Sequence, residues 1–250
     1  MVKVFQLFGY ARRGDIGSFL LHGKTPQAVW RRLTWPVNHD GYLIGVDSPV
    51  NVCKKPIDKI LGRLAEGEFL TGHLGYNDEL LMSIARYGIE PIVITRDPRA
   101  VLDSFVHYVL NERRHPLRNE FRHLSVKERY RAALYGRQFR DIELKSLNER
   151  CRAMEPWIAS SYVYRVRFED IIGIKGGGTD NTQQSVLLEL AELLEVHSNF
   201  IRYVANNLYG EGSVTFRRGS IDGWRQSIPE NLQSELNHEL RGILNSWGYH

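Results

Sequence analysis

Cysteine is scarce: 250 residues hold two, Cys53 and Cys151. They lie far apart with no redox or metal-ligand spacing, so reduced, buried thiols in a reducing compartment, the cytoplasm, are expected. Long apolar runs are missing too. None approaches the ~20 residues that span a bilayer, and no membrane association is expected. The opening MVKVFQLFGY is too short and too polar-flanked for a secretion signal; it reads as a first strand. There is no G-x-x-x-x-G-K-[ST] loop for ATP and no recognised nucleic-acid motif. No His/Cys/carboxylate group has metal-ligand spacing, so no metal is expected. His115 and His123 are expected on exposed surface outside regular elements. Repeats and low-complexity linkers are absent. At 42% hydrophobic and 25% charged residues, the composition is that of an ordinary globular protein, and the length suits one α/β domain over residues 1–250.

The net charge is +4, but unevenly spread. Residues 111–152 hold twelve Lys/Arg against six Asp/Glu, while the remainder holds 21 against 23. An anionic ligand or partner can use such an excess. The alternative is a solvated helix face with paired charges.

Along the chain, VKVFQLFG reads as a strand, YARRGDIGS as a basic Gly-containing loop, and TPQAVWRRLTW as a short helix. Residues 36–55 are rich in turn formers and read as irregular. PIDKILGRLAEG reads as a helix ended by Gly67, EFLTGHL as a short strand, and NDELLMSIARYG as a helix capped by Asn77 or Asp78. PIVIT is a strand and DPRAVLDSFVHYVLNER a helix. Residues 125–154 read as one long amphipathic helix opened by a Ser125–Glu128 capping box. YVYRVRFEDI is a strand, GIKGGGTDNTQ a flexible loop, QSVLLELAELLEV a helix, and a last helix ends in LNSWGYH. Strands alternating with helices predict a mostly parallel central sheet flanked by helices. Ligands bind beyond the carboxyl ends of such strands.

Four segments lie at those ends. In PIVITRDPRAVLDS, Asp97 caps a helix that begins at Pro98, directly after a strand. Helix starts favour anions, and Arg96 adds a planar donor fork that fits phosphate. Ser104 sits seven residues past Asp97, nearly two turns or ~10 Å along the axis, on the same face. Arg96 and Ser104 can therefore hold one anion; alternatively, Arg96 pairs with Asp97 or another carboxylate. FGYARRGDIGSFLL has strand–loop–helix order with Arg12 and Arg13 in the loop, the topology of a phosphate cradle or of an ordinary βα turn. In FLTGHLGY, His73 lies between two glycines at a strand end, where imidazole suits a general base. In FRRGSIDGWRQSIP, Arg217, Arg218 and Arg225 bracket a Gly/Ser turn with Trp224, a combination that suits a phosphate next to an aromatic base.

In this order, the four segments resemble the nucleotide-binding elements of the sulfotransferases that use 3′-phosphoadenosine-5′-phosphosulfate (PAPS). RDPRAVLDS matches the family's arginine and serine, eight residues apart, for the 3′-phosphate. TGHLGY is similar to its threonine–histidine–leucine–proline context, with Gly72 inserted and Gly75 where proline is common. FRRGSIDGW resembles its arginine–lysine–glycine turn and glycine–aspartate–tryptophan, with the last aspartate and glycine exchanged. VRFEDI and the closing LNSWGYH resemble further family segments. The resemblance implies a P-loop-like nucleotide-binding core. Its 5′-phosphosulfate loop would comprise Arg12, Arg13, Gly14, Asp15, Ile16, Gly17 and Ser18. The 3′-phosphate would be bound by Arg96 and Ser104, helped by Phe216, Arg217, Arg218 and Gly219, with Trp224 near the adenine. It also implies His73 as base, Arg12 as stabiliser of the leaving phosphate, and 3′,5′-diphosphoadenosine as product. One departure stands out. The family's first loop reads proline–lysine–serine–glycine–threonine–threonine–tryptophan, and Asp15 falls where a hydroxyl normally faces phosphate. Either Asp15 pairs with an arginine, or the alignment slips by a residue or two and Ser18 supplies the hydroxyl. The acceptor would be a small molecule, saccharide or peptide, met by segments such as 36–55 and 111–125, with Trp35, Tyr42, His107 and Tyr108 available to stack. Two alternatives remain at this level. One is a P-loop kinase-like phosphotransferase, for which Asp170 would be the magnesium ligand. The other is a non-catalytic binder of nucleic acid or sulfated polymer through residues 111–152.

Overall fold

The computed structural model describes residues 1–21, 41–140, 142–210 and 219–249. Among these are eight strands: β1 (Ala11–Asp15), β2 (Gly41–Ile44), β3 (Val50–Cys53), β4 (Glu68–Thr71), β5 (Ile92–Thr95), β6 (Arg137–Phe139), β7 (Ile142–Leu144) and β8 (Tyr164–Arg167). Two pairs are parallel, β1 with β4 and β5 with β8; two are antiparallel hairpins, β2 with β3 and β6 with β7. Helices fill the intervals, giving the mixed α/β architecture expected. The segment 25–35 lies outside the described residues, as do Trp35, Phe216, Arg217 and Arg218.

Several local expectations are corrected. Residues Val2–Leu7 form a helix, not a strand. Val4 and Phe8 are both buried while Gln6 is exposed. A strand would put all three on one face, and a helix separates them. The first strand is instead β1, inside the basic stretch that read as a loop. The β2–β3 hairpin stands where irregular chain was expected; Tyr42, Ile44 and Val52 point inward while Leu43 and Val50 are exposed. The helix before β4 spans Lys54–Leu61 and stops at Gly62 rather than Gly67. Residues 125–154 divide into helix Val126–Tyr135, the β6–β7 hairpin, and the start of helix Leu147–Ala159. Gly136 makes the break: its φ is +77°, and a β-carbon there would meet the Leu144 carbonyl oxygen at 2.7 Å. Each helix has its own capping box, Ser125 with Glu128 and Ser146 with Glu149. His123, expected outside regular elements, closes the helix Arg118–His123, and His115 is half-buried.

Three apolar clusters hold these elements. One gathers Leu102, Phe105, Phe121, Leu144 and Leu147 with the C-terminal Trp224, Leu236, Ile243 and Tyr249. A second joins Ile16 and Leu20, just after β1, to Ile44, Val52, Ile57, Leu80 and Val93. A third packs Val4 and Phe8 against Val166, Leu187, Leu190 and Val204. No helix among the described residues is long and apolar enough to cross a membrane.

Phe121 is 0% exposed and contacts the Phe105 and Phe139 rings. Phe121→Ala should lower unfolding stability by about 3–5 kcal/mol, read from the midpoint of urea denaturation; a loss under ~1 kcal/mol would contradict this packing.

Candidate functional site

Parallel pairing puts Arg96 and Phe168 side by side, because Thr95 pairs with Arg167 at the ends of β5 and β8. The Arg96 guanidinium carbon lies 4.3 Å from the Phe168 ring centroid. Its Nη1 donates to Ser104 Oγ at 3.2 Å and its Nη2 to the Ser220 carbonyl at 3.2 Å. Arg96, Ser104, Gly219 and Ser220 are all half-buried. One strand end, one helix face and one distant loop thus meet around a guanidinium, and Ser220 joins as a residue the sequence did not suggest. The loop is held from behind: the Ile221 N–H donates to the Gly176 carbonyl at 2.9 Å. A β-carbon on Gly176 would come within 2.6 Å of the Gly219 carbonyl oxygen.

Asp97 takes a different partner from the one considered above. It is 5% exposed, and its carboxylate binds Arg99, with Nη2 at 2.8 Å and Nε at 3.0 and 3.1 Å to the two oxygens. It also caps the helix Pro98–Asn111 by accepting the Arg99 N–H at 2.8 Å. Arg99 continues to Asn237 Oδ1 at 3.0 Å and lies 4.7 Å from the Trp224 ring centroid. Trp224 is therefore a core residue, 1% exposed, with Arg225 over its ring at 4.5 Å. Its expected place beside an adenine is corrected: the indole braces the arginine that holds Asp97.

At the end of β1 and β4, Asp15 pairs in register with Thr71. Asp15 Oδ1 accepts the Ser18 N–H at 2.9 Å, and Oδ2 accepts the Thr71 hydroxyl at 2.9 Å. Thr71 Oγ1 in turn accepts from Arg12 Nη2 at 3.1 Å, while Arg13 faces Glu68 at 3.6 Å. The Asp15 carboxylate caps the helix that begins at Ile16, with the Ser18 N–H and the Thr71 hydroxyl as donors. Ile16 is buried, Gly14 and Gly17 are half-buried, and Arg12, Arg13 and Ser18 are exposed.

His73 lies two residues past Thr71 with an exposed side chain. Its carbonyl accepts the Gly45 N–H at 2.8 Å, and the neighbouring Leu74 carbonyl accepts Trp157 Nε1 at 2.8 Å. Gly72 rests on Ile16, its position for a β-carbon 3.3 Å from the Ile16 Cβ. His73 and the Asp15–Ser18 turn thus leave the same end of the same strand pair.

The basic segment is largely engaged within the fold. Arg131 binds Glu235 at 2.9 Å and Arg150 binds Asp47 at 2.7 Å. Arg118 and Arg129 donate to the Leu110 and Phe121 carbonyls. A shallow cavity of about 650 Å³ beside this segment is lined by Pro116, Asn119, Glu120, His123, Phe139, Arg140 and Ile142. Of the residues expected to stack on an acceptor, Tyr42 is buried at 3% exposure, whereas Tyr108 is 43% exposed. Asp170 faces Arg167 at 3.9 Å. Burial pushes the Cys151 thiol up to about 12, so it stays protonated at neutral pH. Among the described residues, no three His, Cys, Asp or Glu side chains gather as a metal site would require.

The chain has the sulfotransferase fold. One structural neighbour is mouse sulfotransferase SULT7A1, solved in complex with PAP; the two align with a TM-score of 0.54 over 97% of this chain and 89% of that one, at 13% identity. No family model and no curated protein sequence matches the chain.

Arg99 has a structural role, as the partner of the buried Asp97 carboxylate. Arg99→Ala leaves a buried carboxylate uncompensated and should cost about 3–5 kcal/mol of stability, measured by urea denaturation. If that variant were as stable as the parent, the buried pair would not have the role assigned to it.

Proposed function

We propose that the chain binds PAPS and transfers its sulfuryl group to an acceptor hydroxyl or amine. The observation that carries this reading is the Arg96–Ser104 hydrogen bond at a strand end beside Ser220, within a fold shared with a PAP-bound sulfotransferase. A guanidinium and a hydroxyl 3.2 Å apart form two arms of an anion seat, and a phosphate can bridge them. Gly219 borders that seat, and Arg217 and Arg218 would add charge to it.

When bound, PAPS supplies a sulfuryl group attached to a phosphate leaving group. The rest of the work falls to side chains. His73, exposed past β4, takes the acceptor's proton as the acceptor attacks in line. Arg12, which donates to Thr71 two residues before His73, offsets charge growing on the leaving oxygen, as in phosphoryl transfer. Arg13 and the Gly17 N–H complete the 5′ side. The arginines neutralise the phosphates, so the mechanism assigns no step to a metal. The exposed Tyr108 leaves a face for a small-molecule, saccharide or peptide acceptor.

One observation favours a second reading, a nucleotide binder that does not turn over. Asp15 already satisfies the Ser18 N–H, and its charge opposes a 5′-phosphosulfate at the start of that helix.

Thermal melting with added nucleotide tests both. 3′,5′-Diphosphoadenosine should raise the melting temperature, and AMP, ADP and ATP should not. Arg96→Ala should lose about 1.5–3 kcal/mol of affinity, roughly tenfold to a hundredfold. His73→Ala should abolish sulfuryl transfer and keep nucleotide binding. An Arg96→Ala protein with undiminished affinity would sink the site; protection without turnover in the parent protein would decide for the second reading.

A further inference from the structure

The strip that carries His73 is held to the β2–β3 hairpin by a short join. The Gly45 N–H donates to the His73 carbonyl and the Gly75 N–H to the Leu43 carbonyl, both at 2.8 Å. Between these bonds Ile44 and Leu74 pair antiparallel. His73 is exposed, while Leu74 packs on the second apolar cluster. Neighbouring residues of extended chain face opposite ways, so a slip of one residue would turn His73 inward and Leu74 outward. Two bonds alone are a short ladder on which to rest that choice.

One helix grips both sides of the join. Arg150 and Trp157 lie seven residues apart on the helix Leu147–Ala159, nearly two turns and so on one face. Trp157 Nε1 donates to the Leu74 carbonyl at 2.8 Å, and its ring meets Tyr76 edge-on with 5.2 Å between centroids. Arg150 Nη1 donates to Asp47 Oδ1 at 2.7 Å, in the hairpin turn two residues beyond Gly45. The Asp47 carbonyl also accepts the Lys145 N–H at 2.9 Å. The Arg150 side chain is only 4% exposed; its Nη2 donates to the Ala133 carbonyl at 2.7 Å, and its guanidinium carbon lies 4.7 Å from the Phe105 ring centroid. An ion pair with one partner buried this deeply returns little stability, because desolvation offsets the attraction. What such a pair does fix is position: a guanidinium bound on two nitrogens and one face holds Asp47 in a single place.

We propose that Arg150 is a positioning residue for His73. Together with Trp157 it fixes the hairpin turn and the 73–75 strip to one helix, and so sets the register that keeps the imidazole on the open side. The meaning of that placement for catalysis rests on the reading above that makes His73 the base. Arg150 touches neither His73 nor the acceptor; it acts through Asp47 and the Gly45 N–H.

Amide exchange followed by NMR tests this in Arg150→Met and Trp157→Phe, which remove the donors and keep apolar bulk. In each variant the Gly45 and Gly75 amides should exchange about tenfold faster than in the parent. The amides of β8 should stay within about twofold. The His73 Cε1–H signal should broaden or divide as the strip samples a second register. A merely structural arginine predicts a rise shared by β8, or none at Gly45 and Gly75, and either result overturns the proposal. Faster amides with an unmoved His73 signal overturn it too. Should Arg150→Met not fold, Trp157→Phe decides, and unchanged Gly45 and Gly75 protection there refutes the grip of the helix. Full sulfuryl transfer in His73→Ala would instead bring down the base reading, while exchange alone decides how His73 is placed.

Discussion

The carboxylate of Asp97 is the constraint on which the β5 end of the molecule depends. It sits almost wholly out of water, where an unpaired charge costs far more than a hydrogen bond returns. One arginine two residues away supplies three side-chain hydrogen bonds, from Nε and Nη2, and a backbone N–H. That arginine is braced on Trp224 and Asn237 from the C-terminal part of the chain. Helix start, distant loop and last helices are thereby fixed to one another. Arg96, next in the chain, inherits a fixed backbone and directs its guanidinium toward Ser104. Asp97 itself is taken by Arg99, the arginine on its other side.

The Asp15 end uses the same device with a different outcome. There too a carboxylate follows a strand and caps a helix. Its brace is a threonine hydroxyl rather than a buried arginine, and it is half-buried rather than enclosed. Arg12 reaches the site through that threonine. The two strand pairs thus present one closed acidic cap beside an arginine seat, and one partly open acidic cap flanked by exposed arginines. That contrast is why the two ends carry unequal weight in the functional reading.

Much of this was legible in the sequence, for identifiable reasons. The strand Ile92–Thr95 and helix Pro98–Asn111 were readable because apolar residues, Asp97 and Pro98 agree locally. The same holds for the Ser125–Glu128 cap and for Asn77, whose Oδ1 takes the Leu80 N–H. The failures share a cause. At Val2–Leu7, β-branched and aromatic residues favour a strand, but burial of Val4 and Phe8 against Val166 and Leu187 wins. Around Gly136, one left-handed residue overrides a continuous helical pattern. At the site, the Arg96–Ser104 spacing was visible, but the choice between Arg96 and Arg99 as partner of Asp97 was not. Nothing local distinguishes two arginines flanking one aspartate; Trp224 and Asn237, more than a hundred positions away, make the difference. Ser220 was equally hidden, since its carbonyl meets Arg96 from 124 positions away.

The loop after β8 now gains a meaning that its glycine content alone did not convey. Gly176 sets the gap to the strip carrying Gly219 and Ser220, whose carbonyl meets Arg96. A single methyl at that position would press on Ile172 at 2.3 Å as well as on the Gly219 oxygen. The approach of the Ser220 carbonyl to Arg96 is therefore governed from behind, by a hydrogen atom where other residues carry carbon. A substitution at this one codon would shift that carbonyl against the guanidinium while Arg96 and Ser104 themselves stay the same.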